Sequence, residues 1–94
     1  MINVYKFTTT TCGVCKMLEP QWNLVKEDLK DNSELNFVEF VMDRDTGNAT
    51  VLAKKYNISK APTIIIADSD NNVLKEITGF LPKRELKKQI SQFI

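Results

Sequence analysis

The sequence predicts an α/β domain: a four-stranded mixed sheet flanked by helices, with elements in the order β-α-β-α-β-β-α. Three observations predict it. An alternating apolar segment at residues 2–8 gives way after Gly13 to apolar spacings of three and four, the change from strand to helix that opens a βαβ unit. Three consecutive isoleucines at 64–66 have the continuous apolar character of a strand buried on both faces. Five polar residues then precede another strand-like segment, which makes the last two strands a hairpin. The 94 residues have the length of one domain, residues 1–94, able to bury one core without staples.

Each element follows from its residues. Ile2 and Val4 alternate and lead into Tyr5 and Phe7, so Ile2–Thr8 reads as a strand, running into four threonines. Leu18, Trp22, Val25 and Leu29 recur on one helical face. Pro20 interrupts that pattern without stopping it; lacking a backbone donor, it is expected to kink the helix rather than end it. Asn36–Met42 is apolar and β-branched enough for the second strand, and Asp43-Arg44-Asp45-Thr46-Gly47 reads as a turn. Ala49, Leu52, Ala53 and Tyr56 form a short helical face closed by Asn57. Thr63–Ala67 is the isoleucine strand, Asp68–Asn72 the hairpin loop and Val73–Thr78 the returning strand. Pro82 suits the first turn of a last helix whose inner face is Leu86, Ile90, Phe93 and Ile94. The first βαβ unit should be parallel and right-handed, the final pair antiparallel.

Composition narrows the function. A formal net charge of +1 gives no reason to expect nucleic acid or an anionic membrane as partner. No stretch is long or apolar enough to cross a bilayer. The first residues lack the basic leader, apolar run and cleavage site of a signal peptide, so a cytoplasmic location is the default expectation. There is no histidine, which removes the usual general base and the commonest zinc partner together. Lys83, Arg84, Lys87 and Lys88 read as the solvated face of the last helix.

The two cysteines stand three apart, in Cys12-Gly13-Val14-Cys15, where the first strand meets the first helix. Residues so spaced at a helix start share a face, so their sulfurs can meet. The first turn offers unpaired N–H groups and a partial positive charge, which would stabilise a thiolate at Cys12 and lower its pKa from the free value of about 8.5. Cys15, one turn in, should be the more buried thiol. Exposed Lys16 adds little. A dithiol so placed can exchange with a disulfide: Cys12 attacks, a mixed disulfide forms, and Cys15 resolves it. A redox motif beside a βαβ pattern is the favoured reading. A structural disulfide, zinc shared across a dimer, and an iron–sulfur cluster completed by outside thiols stay open, although one cysteine pair supplies only half of a usual zinc set.

Thr11-Cys12-Gly13-Val14-Cys15-Lys16-Met17 with Pro20, Tyr56-Asn57-Ile58-Ser59-Lys60-Ala61-Pro62-Thr63, and Thr78-Gly79-Phe80, in that order, resemble the thioredoxin family over nearly the whole chain. The resemblance implies a thioredoxin-like fold with strand order 2-1-3-4 and a cis Pro62 facing the cysteines. It implies an extended substrate segment paired to the Ala61 backbone, in a groove rimmed by Gly13, Val14, Ala61, Pro62, Gly79 and Phe80. It further implies a monomer that reduces protein disulfides, carries no bound cofactor beyond a redox-active Cys12–Cys15 disulfide, and draws electrons from a flavin- and nicotinamide-dependent reductase such as thioredoxin reductase. A glutaredoxin-like activity using glutathione is the alternative, and a metal- or cluster-binding interaction module is a third.

The chain also departs from the family pattern. It begins at the family's central strand, which makes it closer in size to glutaredoxin. Thr11 replaces the usual tryptophan before the first cysteine, and Trp22 is read as core. Val14 replaces the usual proline, so the reduction potential is expected to depart from thioredoxin's value of about −270 mV. Lys6 stands where the family carries a buried aspartate, and Glu39 falls near the position of that aspartate's lysine partner. The expectation is a charge-exchanged pair, Lys6 with Glu39, beneath Cys15, with Glu39 relaying the proton that Cys15 must lose; the alternative is that both side chains face solvent.

Overall fold

The computed structural model describes residues 1–44 and 47–94, with Asn48 and Ala49 described by backbone alone. The elements are β1 (Ile2–Thr8), α1 (Gly13–Asp28), β2 (Leu35–Val41), α2 (Asn48–Lys55), β3 (Thr63–Ala67), β4 (Val73–Thr78) and α3 (Lys83–Ser91). Seven elements in the expected order result, and the sheet runs β2-β1-β3-β4. β1 pairs in parallel with β2, from Ile2 opposite Leu35 to Thr8 opposite Val41, and antiparallel with β3, which pairs antiparallel with β4.

The two faces of the sheet carry two cores. Val4, Ile64, Ile66 and Ile77 pack with Leu18, Trp22 and Val25 of α1 and with Leu86 and Ile90 of α3. Tyr5, Phe7, Phe40, Ile65 and Ala67 pack on the opposite face with Tyr56, and Leu52, Ala53 and Ile58 lie against them. The isoleucine run is continuous because β3 lies between β1 and β4 and is covered on both sides; every residue of the strand is buried. Phe7 and Phe40, on adjacent parallel strands, stack at 5.2 Å. Burying an aromatic on the sheet in this way removes on the order of 150–250 Å² from water.

Several boundaries move by a residue. β2 starts at Leu35 rather than Asn36, and Pro82 is the N-cap of α3 rather than its first helical residue, with its carbonyl accepting the Leu86 N–H at 3.0 Å. α1 continues through Pro20 and ends at Asp28, with Leu29 as its C-cap, donating to the Val25 carbonyl. Asn57, after α2, and Asn71, in the hairpin loop, adopt positive φ, which asparagine tolerates better than most residues. The loop is held by Asp68, whose Oδ1 accepts from the N–H groups of Asp70 and Asn72.

One expected core residue is corrected. Ile94, beyond the end of α3 at Ser91, is nearly half exposed; only Phe93 of that pair packs on the core. The basic face of α3 is also less uniformly solvated than expected: Lys83 and Lys87 both pair with Asp28 at the end of α1, at 2.9 and 3.4 Å. The turn expected over 43–47 falls partly outside the described residues, as does the side chain of Ala49. Among the described residues no helix is long and apolar enough to cross a membrane.

Candidate active site

Cys12 is the N-cap of α1, in extended backbone (φ −91°, ψ 110°), and its carbonyl accepts the Lys16 N–H at 3.3 Å to start the helix. Its sulfur takes the place of a capping oxygen: Sγ accepts from the Cys15 N–H at 3.0 Å. The helix N-terminus thus points a donor at this sulfur. Cys12 and Cys15 are disulfide-bonded, with Cα atoms 5.2 Å apart. Cys12 is partly exposed and Cys15 is buried, the asymmetry expected of an attacking and a resolving sulfur.

The loop before β3 comes up against this turn. The Ala61–Pro62 peptide bond is cis, and the Ala61 carbonyl oxygen lies 3.5 Å from Cys12 Sγ. The Pro62 carbonyl accepts the N–H of Gly79 at 3.0 Å, which ties the turn after β4 to the same loop. Gly79 has φ +86°, a conformation glycine reaches without strain. Cys12, Ala61, Pro62 and Gly79 are therefore linked in one contiguous group, in which Cys12, Ala61 and Gly79 are part-exposed and Pro62 is buried. Gly13 and Val14 lie exposed within the cysteine turn, and Phe80, exposed, follows Gly79. Met17, a further 61% exposed apolar residue one turn along α1 from Gly13, extends the exposed apolar surface of this helix end.

Between the sheet and α1 lies a buried charge. The Lys6 side chain is 2% exposed on β1, and its ammonium is 3.1 Å from Glu39 Oε1, directly across the β1–β2 pair. The expected charge-exchanged pair forms. Two partners were not legible. Glu19 of α1 holds the same ammonium at 2.5 Å, and Lys26, also on α1, reaches the other oxygen of Glu39 at 3.1 Å. The Trp22 ring completes the enclosure, its centroid 5.0 Å from the ammonium. Burial pushes the Glu39 carboxyl up, but its bonds to Lys6 and Lys26 outweigh this and leave it below its usual range. That direction makes Glu39 a weaker base, and hence a poorer acceptor for the proton of Cys15.

The loop from β1 to Cys12 has its own anchor. Asp43 accepts from the Thr10 N–H at 3.1 and 3.2 Å and, in a very short contact, from the Thr10 hydroxyl, which holds its carboxyl below the ordinary range. The threonine run offered no reason to single out this pair. Among the described residues no group of three or more histidine, cysteine, aspartate or glutamate side chains stands close enough to hold a metal ion.

A sequence model of the thioredoxin family matches residues 2–92. The chain belongs to the thioredoxin family. A thioredoxin of Mycoplasmoides gallisepticum is 35% identical over 85 residues, covering 90% of this chain and 77% of that protein. The chloroplastic thioredoxin Y2 of Arabidopsis thaliana is 34% identical over 89% of this chain, which spans 46% of that longer protein. Among solved structures, the germline-specific thioredoxin Deadhead of Drosophila melanogaster superposes with a TM-score of 0.80 at 19% identity, over 99% of this chain and 81% of its own. Chloroplastic thioredoxin z gives 0.75 at 24%, over 98% and 77%. The structural likeness establishes the thioredoxin fold. With its two cysteines bonded at the start of α1, this member of the thioredoxin family is a thiol–disulfide oxidoreductase.

Proposed function

We propose that the chain reduces disulfides in protein substrates by dithiol exchange, as one redox domain spanning residues 1–94. The observation that carries this reading is the asymmetry of the pair: Cys12, at the donor-rich start of α1, is part-exposed with its Sγ 3.5 Å from the Ala61 carbonyl, while Cys15 is buried. In the reduced chain the Cys12 thiolate attacks one sulfur of a substrate disulfide. A Cys12–substrate bond forms and the other substrate sulfur leaves as a thiolate, which takes a proton from water. Cys15 loses its proton and attacks Cys12 Sγ. The Cys12–Cys15 bond forms, the substrate bond breaks, and two electrons have passed to the substrate.

Gly13, Val14, Ala61, Pro62 and Gly79 are the proposed substrate-binding residues. An extended segment laid along the Ala61 backbone brings its cystine to Cys12. The reaction needs no bound cofactor, because the dithiol itself carries the electrons. A reductase of the thioredoxin reductase type would return them. The location that fits this chemistry is the cytoplasm, where thiols are kept reduced, and the working unit is a monomer.

Reduction of insulin disulfides, followed as turbidity, tests the proposal. Thioredoxin reductase with its nicotinamide supports turnover by the parent chain, glutathione with its own reductase does not, and Cys12→Ser abolishes turnover. Equal rates for Cys12→Ser and parent would remove Cys12 from the attacking role. Turnover with glutathione alone would reassign the electron donor.

A further inference from the structure

The dithiol exchange just proposed leaves one buried charge unused. Lys6 projects from β1 onto the α1 side of the sheet, the face of Val4, where Ile64, Ile66, Leu86 and Ile90 are apolar. The charged groups around its ammonium are Glu19 and Lys26 from α1 and Glu39 from β2. Only the ammonium is fully enclosed; the Glu19 and Glu39 side chains are 49% and 38% exposed. Water therefore screens the two carboxylates more than it screens Lys6.

Two of the residues that hold the ammonium belong to the helix that carries the resolving sulfur. Glu19 is four residues beyond Cys15 and Trp22 seven, so all three lie along one helix face. Successive positions of this kind have Cβ atoms about 5–6 Å apart. Long helical side chains lean toward the helix N-terminus, and from Glu19 and Trp22 that direction is toward Cys15. At about twice this spacing a unit charge in a partly buried site, at an effective dielectric of about 20, changes a thiolate population roughly tenfold.

We propose that the Lys6 ammonium, enclosed by Glu19, Glu39 and Trp22 behind the active-site helix, stabilises the Cys15 thiolate electrostatically, so that the resolving step proceeds without a carboxylate base. The Cys15 proton goes to water. The thiolate attacks Cys12 Sγ, the Cys12–Cys15 bond forms, and the departing substrate thiolate recovers a proton from water. Lys6 takes no part in the proton transfers, and nothing else is consumed.

The test isolates the resolving step. Reduced chain is converted to the Cys12–thionitrobenzoate mixed disulfide and held at acid pH. A jump to higher pH then releases coloured thionitrobenzoate as Cys15 attacks. In Lys6→Met the release-against-pH profile moves up by about one unit. A thiolate of higher pKa is scarcer but more nucleophilic, so at neutral pH release slows only about threefold, and above both midpoints it is at least as fast as in the parent. Such a crossing of the two profiles is not produced by a loosened fold. Glu19→Gln, a surface change, moves the profile the opposite way and decides the matter alone if Lys6→Met does not fold.

Profiles of Lys6→Met and Glu19→Gln that coincide with the parent's, or that move in the same direction, overturn the proposal. Glu39→Gln separates it from a proton relay. The charge account has release unchanged or faster, whereas slower release at every pH with Lys6→Met unaltered would return the role to Glu39. Release from the parent that persists in Cys15→Ser would overturn the dithiol reading itself, whatever Lys6 does.

Discussion

Replacing Lys6 by methionine asks whether a buried charge that serves the chemistry also holds the fold together. The ammonium is 2% exposed. Removing a charge of this size from water costs several kcal/mol even after the protein relaxes. Against this stand the bonds to Glu19 and Glu39, at about 1.5–3 kcal/mol each for hydrogen bonds to charged groups, and the Trp22 contact, at about 0.5–2 kcal/mol. The two sides are of equal size. What usually makes loss of one partner costly is the charge left stranded in the interior, about 3–5 kcal/mol. Here the carboxylates left behind are 49% and 38% exposed, so water takes the place of the ammonium. Methionine keeps the length of the side chain and packs its thioether on Trp22. The oxidised Lys6→Met chain is therefore expected to be as stable as the parent or up to about 2 kcal/mol more stable. Urea unfolding followed by Trp22 fluorescence measures this as a raised midpoint at unchanged slope. A loss of more than about 2 kcal/mol at unchanged slope would show the ammonium to be a net stabiliser and refute the balance drawn here.

Other perturbations probe separate parts of the fold. Leu86→Ala, at a fully buried position that joins α3 to the sheet, should cost about 2–5 kcal/mol in the same assay, and a loss under about 1 kcal/mol would mean that α3 does not share the main core. Gly79→Ala should cost about 1–2 kcal/mol through its positive φ alone, since an added Cβ meets nothing within 4 Å. Gly13→Ala, equally uncrowded and in the first turn of α1, should be neutral or stabilising by up to about 1 kcal/mol; the opposite order for the two glycines would contradict the backbone account. The carboxyls of Asp28, Asp43, Asp68 and Glu39 are all held below their ordinary values by hydrogen bonds and nearby cations. Their folded forms favour ionisation, so the stability they contribute is complete above the ordinary values of 3.8 and 4.5 and is lost as pH falls through the lower folded ones. With no histidine to titrate, the urea midpoint of the oxidised chain should be flat between about pH 6 and 7 and drop below about pH 4; a step near neutrality would refute this.

The backbone was legible because short-range patterns carried it. Alternation gave β1, the isoleucine run gave β3, and the spacing of Leu18, Trp22 and Val25 gave α1 in spite of Pro20. The cysteine turn was legible for the same reason, since its chemistry lies within one helical turn. The proline loop opposite was reached only through family resemblance, because the meeting of Ala61 with Cys12 spans 49 residues and no local pattern encodes it. The Lys6–Glu39 pair was found by position within neighbouring strands, where parallel register sets Lys6 opposite Glu39. Glu19 escaped. It sits beside the apolar stripe of α1, where a glutamate ordinarily faces solvent, and only the buried lysine facing it from β1 gives it a partner. The available signal was its spacing of four from Cys15. Ile94 lies past Ser91, where α3 stops, so the helical period no longer sets which way it faces.

The central claim is that Cys12 attacks and Cys15 resolves. Incubating the reduced Cys15→Ser chain with a disulfide-bonded protein and measuring intact masses tests it directly. One covalent adduct joined through Cys12 should accumulate, and the Cys12→Ser chain under the same conditions should form none. An adduct carried by Cys15 in the Cys12→Ser chain, at the rate seen for Cys15→Ser, would contradict the account.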